Sequence, residues 1–150
     1  MKSILLARPH PFIVAEMAPL LEALGFEPVR LESLAHLDRH GVATPWRGAI
    51  ISLAISSSVG ATATEVVRAL QTRAPRLPLA FAGMVPTETA GKTIERLFDG
   101  QAPTVADIDS QRRQPQPLGG TGTCLYFSKA QIGDPGLQAE IRQLMAAHFR

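Results

Sequence analysis

The sequence predicts an α/β sandwich in which helices cover both faces of a parallel β-sheet. Five short apolar segments alternate with helical patterns along the chain, which is typical of this class. The segments are almost continuously apolar, as expected for strands that are buried on both faces. A length of 150 residues fits one domain with a sizeable core. The five predicted strands are 3–7, 26–31, 48–55, 77–83 and 123–128.

The amino-terminal part of the chain contains the first predicted helix. Gly25 is a natural residue at which to end it, and Pro19 inside it should cost one hydrogen bond and bend it. After the second strand, Ser33 is placed to cap a short helix that runs through His40. The apolar stripe that predicts the first helix consists of Ile13, Met17, Leu20, Leu21 and Leu24.

The second part of the chain contains three more predicted helices. The loop "SSSVGAT" leads into a third helix, which Pro75 ends, and Thr87 or Thr89 begins a fourth. The last helix runs to the end of the sequence. The apolar faces consist of Ala63, Val66, Val67, Leu70 and Ala74 in the third helix, Ala90, Ile94, Leu97 and Phe98 in the fourth, and Leu137, Ile141, Leu144 and Met145 in the last.

Residues 99–122 interrupt this alternation. The segment is rich in Pro, Gly, Gln and Asp, and it has little apolar periodicity. Connections inside α/β units are usually about 2 to 6 residues long, so we interpret it as an insertion between the fourth helix and the fifth strand. A flexible surface loop is the main expectation, and a functional lid or docking segment is the alternative.

Composition narrows the classes of function. The formal net charge is +2, no run of basic residues occurs, and Trp46 and Tyr126 are the only Trp and Tyr, so nucleic-acid binding has little support. A single cysteine, Cys124, excludes an intrachain disulfide and a cysteine-rich zinc site, and we expect it in the core. No apolar run is long enough to span a bilayer, and a cytoplasmic protein is expected.

Several stretches resemble the CheY-like receiver domain of two-component response regulators. "ILLARPHPFIVAEMAPLLEALGFEPVRLES" is similar to the first strand, first helix and second strand of that family. "WRGAIISLAIS" resembles its third strand, "LQTRAPRLPLAFAGM" the end of its third helix with the fourth strand, and "LYFSKA" its fifth strand. The resemblance implies a flavodoxin/CheY-like three-layer sandwich with a five-stranded parallel sheet in the order 2-1-3-4-5.

The resemblance also assigns positions in the phosphorylation pocket. Arg8 and Pro9 stand where receivers carry the acidic pair that holds Mg²⁺, and His10 follows directly. Ser52 stands at the position of the phosphoaccepting aspartate, and Lys129 matches the lysine of the fifth strand. The resemblance therefore implies a degenerate receiver that has lost its acidic pair and its phosphoacceptor.

Two further positions correspond to the receiver's switch. Gly83 stands where receivers carry a hydroxyl residue, and Tyr126 matches the aromatic switch residue. Ala130 follows Lys129 in place of the family's proline. The loop after the fifth strand therefore departs from the family pattern.

The chemistry at the predicted pocket argues against phosphoryl transfer. Receiver phosphorylation needs a carboxylate nucleophile and a divalent cation, whereas Ser52 is a poor nucleophile without an activating base. We therefore expect no metal, no cofactor and no enzymatic activity. Arg8, His10, Ser52 and Lys129 could instead form a pocket for a small anion or a nucleotide. The alternative is that Arg8 caps strand-end carbonyls or pairs with an acid, and that His10 is exposed.

Two other motifs are weaker candidates for a site. "SSSVGAT" at 56–62 lacks the lysine and the spacing of a phosphate-binding loop, and a connecting loop is the better interpretation. His36 and His40 have one metal-binding spacing, but no third ligand accompanies them, so we interpret them as solvated surface residues.

The sequence favours a signalling or adaptor module that acts through protein–protein contact without phosphorylation. By the resemblance, its partner surface should lie on the fourth helix, the strand 123–128, the last helix and the base of the insertion. Arg112 and Arg113 could bind an acidic partner or the phosphate of a cyclic dinucleotide, although the flanking Gln and Pro residues favour a solvated loop. The partner is a signalling protein of unknown identity, and homodimerisation stays open. The expected anchor residues are Arg96, Tyr126 and Arg142.

Overall fold

The computed structural model describes residues 2–7, 11–31, 33, 35, 46–53, 62–98 and 100–150, with the backbone alone for 11–15. Four sequence-based expectations fall wholly or largely outside these residues. They concern the Arg8–His10 connection, the short helix predicted from Ser33 to His40, the His36 and His40 pair, and most of the loop at 56–62.

The described strands form a parallel sheet in the order β2-β1-β3-β4-β6-β5. All five predicted strands stand in the predicted order, because the predicted fifth strand, 123–128, lies beside β4, and the flavodoxin/CheY-like α/β architecture is confirmed. Buried residues dominate β1 and β3, and all six residues of β6 are buried, because helices cover both faces. The strands are β1 Lys2–Ala7, β2 Phe26–Arg30, β3 Trp46–Ser52, β4 Leu79–Gly83, β5 Thr104–Ala106 and β6 Thr123–Ser128.

The prediction of five strands is wrong, and the segment 99–122 explains the difference. It is more than a loop, because it contains the edge strand β5 and a short helix. After β4 the chain crosses to the edge of the sheet and forms β5 there. It then returns and adds β6 between β4 and β5. Thr104 pairs with Thr123, and Ala106 pairs with Leu125. A three-residue strand is too short to show a hydrophobic period, so the composition of its surroundings hid it.

Six α-helices occur among the described residues. Gly25, at φ +83°, follows the first helix in the left-handed conformation that suits a helix end. Thr62 caps the second helix through a reciprocal pair of hydrogen bonds with Glu65. No helix in the described part of the chain is long and apolar enough to cross a membrane. The helices are α1 Pro11–Ala23, α2 Ala63–Arg73, α3 Thr87–Glu95, α4 Ile108–Arg113, α5 Lys129–Ile132 and α6 Gln138–His148.

Two hydrophobic clusters lie on the two faces of the sheet. The cluster on one face joins α1, α4, α5 and α6 to the sheet, with Met17, Ile108 and Ile141 among its buried residues. The cluster on the other face joins α2 and α3, with Val67 and Ile94 buried. This division follows from right-handed crossovers, since connections that run in opposite directions across the sheet must lie on opposite faces.

Candidate functional site

The carboxyl ends of the central strands bring three of the predicted site positions to one edge of the sheet. Ser52 ends β3, where it pairs with Ala82 of β4, and the next residue of β4 is Gly83. Gly83 in turn pairs with Ser128, which directly precedes Lys129. This edge is where open parallel sheets bind ligands. Arg8 and His10 lie outside the described residues, so their part in the predicted anion pocket stays a prediction.

Ser52 and Lys129 differ in their exposure. Ser52 is 1% exposed, whereas Lys129 is exposed at the first position of α5. Both residues interact with other groups of the protein. Ser52 is therefore an enclosed hydroxyl, and Lys129 is a surface cation that already has an interaction.

Tyr126 occupies the interior beneath the loop between β4 and α3. Its hydroxyl donates a hydrogen bond to the Val85 carbonyl oxygen at 2.5 Å. Burial raises the pKa of this hydroxyl to about 12, so it stays protonated and keeps the donor. A Cβ atom at Gly83 would lie 3.0 Å from the hydroxyl oxygen. The absence of a side chain at Gly83 therefore gives the Tyr126 hydroxyl its room.

The expectation that Tyr126 offers an exposed anchor to a partner is wrong. The residue is 0% exposed, because β6 is an interior strand and β5 lies beyond it. Arg96 is exposed at the end of α3, and Arg142 is half-buried on α6. These two helices pack on opposite faces of the sheet, and β5 rather than β6 forms the sheet edge between them. The part of Arg96 and Arg142 in binding a partner stays a prediction.

A cleft of about 840 Å³ opens beside this edge. The loop after β4, the start of α4 and the turn from β6 into α5 line it. Met84 and Val85 stand on the loop side with 60% and 39% of their surfaces exposed. Within the described ranges, they are the large hydrophobic side chains that remain exposed. Arg113 lies on the opposite side of the cleft, at the end of α4.

Asp107 joins the two sides of the cleft. It caps α4, where its Oδ1 atom accepts the Ser110 backbone N–H at 2.8 Å, and the Thr87 hydroxyl donates to its Oδ2 atom. Burial alone would raise the pKa of this carboxyl, but hydrogen bonds from Thr87, Ser110 and Gln131 outweigh burial and lower it. Asp107 is thus an ionised, 6% exposed carboxylate that holds α3, α4 and α5 together.

Arg112 and Arg113, the two arginines of the segment 99–122, have different surroundings. Arg112 forms a two-pronged ion pair with Glu140 of α6, with 2.7 Å between Nε and Oε2, and it also lies 3.7 Å from Asp109. Arg113 is exposed, and no carboxylate of the described chain pairs with it. Arg112 therefore connects α4 to α6, whereas Arg113 is available at the cleft.

Solved structures provide the comparison for this arrangement. The chain superposes on the receiver domain of a sensor histidine kinase from Pseudomonas aeruginosa PAO1 with a TM-score of 0.57 and 13% identity, covering 99% of this chain and 97% of that one. It superposes on a sensor protein from Polaromonas sp. JS666 with a TM-score of 0.56 and 16% identity, covering 99% and 95%. This chain has the CheY-like receiver fold. No family model and no curated protein sequence matches it.

The Pseudomonas receiver domain holds a magnesium ion in its active-site cleft. In this receiver fold, the described residues at the ends of β3, β4 and β6 are Ser52, Gly83 and Ser128, none of which is a carboxylate. Mg²⁺ prefers hard oxygen ligands that include one or two carboxylates. No group of three or more His, Cys, Asp or Glu in the described part could hold a metal. The donors described at this edge therefore do not fit magnesium.

Sequence reasoning missed the residues that shape the cleft. Asp107 and Ser110 carry the spacing of a reciprocal helix cap, as do Ser128 and Gln131, and both pairs form it. That spacing was the available signal for α4 and α5. Met84 and Val85 gave no comparable signal, because exposed apolar residues after a buried strand look like its continuation.

Proposed function

We propose that this receiver fold serves as a signalling or adaptor module that acts by protein contact and is not switched by phosphorylation. Two of its structural neighbours are a receiver domain of a sensor histidine kinase and a sensor protein, which supports a place in signalling. The chain is not an enzyme in this proposal, because the residues described at the ends of β3, β4 and β6 include no paired acid and base.

The single observation that carries the proposal is the state of Ser52. A receiver accepts phosphate on a carboxylate, and a serine hydroxyl needs a neighbouring base to become a comparable nucleophile. Ser52 is 1% exposed, which restricts access for a phosphodonor. A hydroxyl at this position also offers no negative charge to hold a divalent cation.

The cleft rim supplies a surface for the partner. Met84 adapts its shape readily to an apolar partner, and Val85 is fixed in place by the hydrogen bond from Tyr126 to its carbonyl oxygen. Arg113 adds an available guanidinium on the other side of the cleft. Arginine and buried apolar anchors commonly dominate protein interfaces. The partner segment that fits is an apolar side chain flanked by a carboxylate.

Affinity capture with the immobilised chain tests this surface. Met84→Asp together with Arg113→Glu should weaken retention of the partner by a factor that corresponds to about 2 kcal/mol or more, because an anchor and its charged neighbour are both lost. The measurement is the amount of partner retained across a series of protein concentrations. The thermal midpoint of the variant should stay near that of the parent, since both side chains are exposed.

The matched control replaces the cations of the predicted anion pocket. Arg8→Gln with Lys129→Gln should leave retention of the partner unchanged. If capture is lost through Arg8 and Lys129 but survives the cleft variants, the alternative holds, namely a small-anion or nucleotide sensor that uses Arg8, His10, Ser52 and Lys129.

A further inference from the structure

The amino-terminal edge of the sheet carries a second concave surface, on the side of the molecule opposite the cleft. It is a groove of about 520 Å³ between the start of β3, the loop that precedes β4, and the ends of α2 and the chain. Its volume falls in the range of small-molecule sites, which is about 300 to 1,000 Å³. Neither the resemblance nor the proposed function makes use of this groove.

The charged side chains described along the groove are all positive. Its lining includes Arg47, Arg73, Arg76 and Arg150, and none of the described residues along it is Asp or Glu. The whole chain has a formal net charge of only +2, so this one groove holds more positive charge than the protein's net value. A concave surface lined by one sign of charge concentrates counter-ions of the other sign.

Helix ends explain two of these four arginines. Arg73 is the last residue of α2, and Arg150 follows the end of α6 at His148. The carboxyl end of a helix carries about half a negative charge, which favours a cation there. Arg73 also has an interaction within the protein. Arg47 on β3 and Arg76 in the loop before β4 have no such role, and both are exposed.

Trp46 completes the groove. It is the first residue of β3, it is half-buried, and it is the only tryptophan of the chain. An indole beside several guanidinium groups offers an aromatic face next to phosphate-binding groups. It also gives the groove its own spectroscopic reporter.

We propose that this groove binds an oligophosphate group, carried either by a nucleotide or by inorganic polyphosphate. One guanidinium group can donate two hydrogen bonds to two oxygens of the same phosphate. Several guanidinium groups around one groove therefore suit a ligand with several linked phosphates better than a ligand with a single carboxylate. A nucleic-acid strand fits less well, because successive bases need several stacking sites, and Trp46 is the one aromatic residue among the described residues that line the groove.

Titration of the 150-residue chain with sodium tripolyphosphate, and separately with ATP and ADP without magnesium, tests the proposal. Tryptophan fluorescence should change saturably, and the thermal midpoint should rise with ligand concentration because the ligand binds the folded state. Equal affinity for tripolyphosphate and ATP identifies the phosphate chain as the whole ligand. Tighter binding of ATP identifies a nucleotide whose base contacts Trp46. Both results support the proposal.

Two variants with the same loss of charge separate a site from general attraction. Arg47→Gln with Arg76→Gln should weaken binding by about tenfold or more, because two of the four exposed guanidinium groups that line the groove are removed. Arg96→Gln with Arg113→Gln removes two exposed arginines elsewhere and should leave binding unchanged.

Three results would overturn the proposal. They are the absence of saturation with every oligophosphate, an equal loss of affinity in both double variants, and affinity for single-stranded oligonucleotides that grows with their length beyond a few nucleotides. The last result would identify the groove as part of a nucleic-acid surface.

Discussion

Gly48 is the residue where the backbone of β3 lies against an aromatic ring. A Cβ atom there would overlap the ring of Phe149 and lie 3.1 Å from the Pro78 carbonyl oxygen. Gly48→Ala should therefore lower the free energy of unfolding by about 1 to 3 kcal/mol, since the ring must move within a packed core. Urea unfolding measures the change. Gly91→Ala is the matched control, because nothing lies within 4 Å of its new methyl group inside α3.

In Gly91→Ala the free energy of unfolding should rise by about 0.5 to 1 kcal/mol, as alanine replaces glycine inside a helix. If Gly48→Ala were as stable as the parent chain, the packing of Phe149 on β3 would be wrong.

His148 is a buried histidine whose two ring nitrogens are both engaged. Nδ1 accepts the Gly119 N–H at 3.1 Å, and Nε2 lies 2.8 Å from the Leu79 carbonyl oxygen, so Nε2 carries the proton of the neutral ring. Burial lowers the pKa of this imidazole below its usual value. A second proton would lie on Nδ1 and point at the Gly119 N–H, so that two hydrogen-bond donors would face each other.

The lowered pKa of His148 determines how the stability of the fold changes with pH. Because the unfolded state binds the proton more readily, His148's contribution to stability is present above about pH 6.5 and is lost as the pH falls below that value. Urea unfolding at about pH 5 and about pH 8 measures it. His148→Gln can donate and accept at the same places without titrating, so its stability should change less between the two pH values. An equal change in both proteins would contradict this role of His148.

Cys124 and Tyr126 differ in how far the sequence alone predicts their surroundings. The buried character of Cys124 was predictable, because it lies in a continuous apolar run, and it is 1% exposed. The orientation of Tyr126 was not, because it depends on which strand forms the edge of the sheet. That in turn depends on β5, which hydrophobic periodicity cannot reveal.

At the scale of elements, the periodic segments folded as their sequences indicate. Apolar spacing predicted α1, α2, α3 and α6, since each buries one stripe against the sheet. The segment 99–122 behaved differently, because its order comes from a partner strand and from side-chain caps. Ala106 pairs with Leu125, and Asp107 caps α4. Neither interaction depends on an apolar period in the local sequence.

Hydrogen exchange tests the structure of that segment. The amides of 104–106 and 111–113 should exchange slowly relative to those of 120–122. The first set lies in the β5–β6 pairing and in α4, whereas the three residues of the second set are exposed. The chain is labelled intact and then digested, and mass spectrometry of the resulting peptides resolves the two sets. Uniformly fast exchange from 104 to 122 would instead support the flexible loop that the composition predicts.

At the scale of the whole molecule, the receiver fold was predictable and its use was not. The order of the five predicted strands and the resemblance of several stretches identified the architecture. The same fold serves many functions, so the chemistry of the carboxyl edge must decide among them. There the chain has Ser52, Gly83 and an inward Tyr126, with a cleft rim formed by Met84 and Val85. These features are the grounds on which we propose contact with a protein in place of phosphoryl transfer.

The most direct test of this account is the intact mass of the chain after incubation with acetyl phosphate and magnesium. A receiver domain that retains its aspartate and acidic pair, treated in parallel, shows that the reagent is active. The account predicts that the mass of this chain stays unchanged while the control gains a phosphoryl group, because the described edge offers a buried Ser52 hydroxyl in place of a carboxylate. A magnesium-dependent gain of one phosphoryl group per chain, lost in Ser52→Ala, would contradict it.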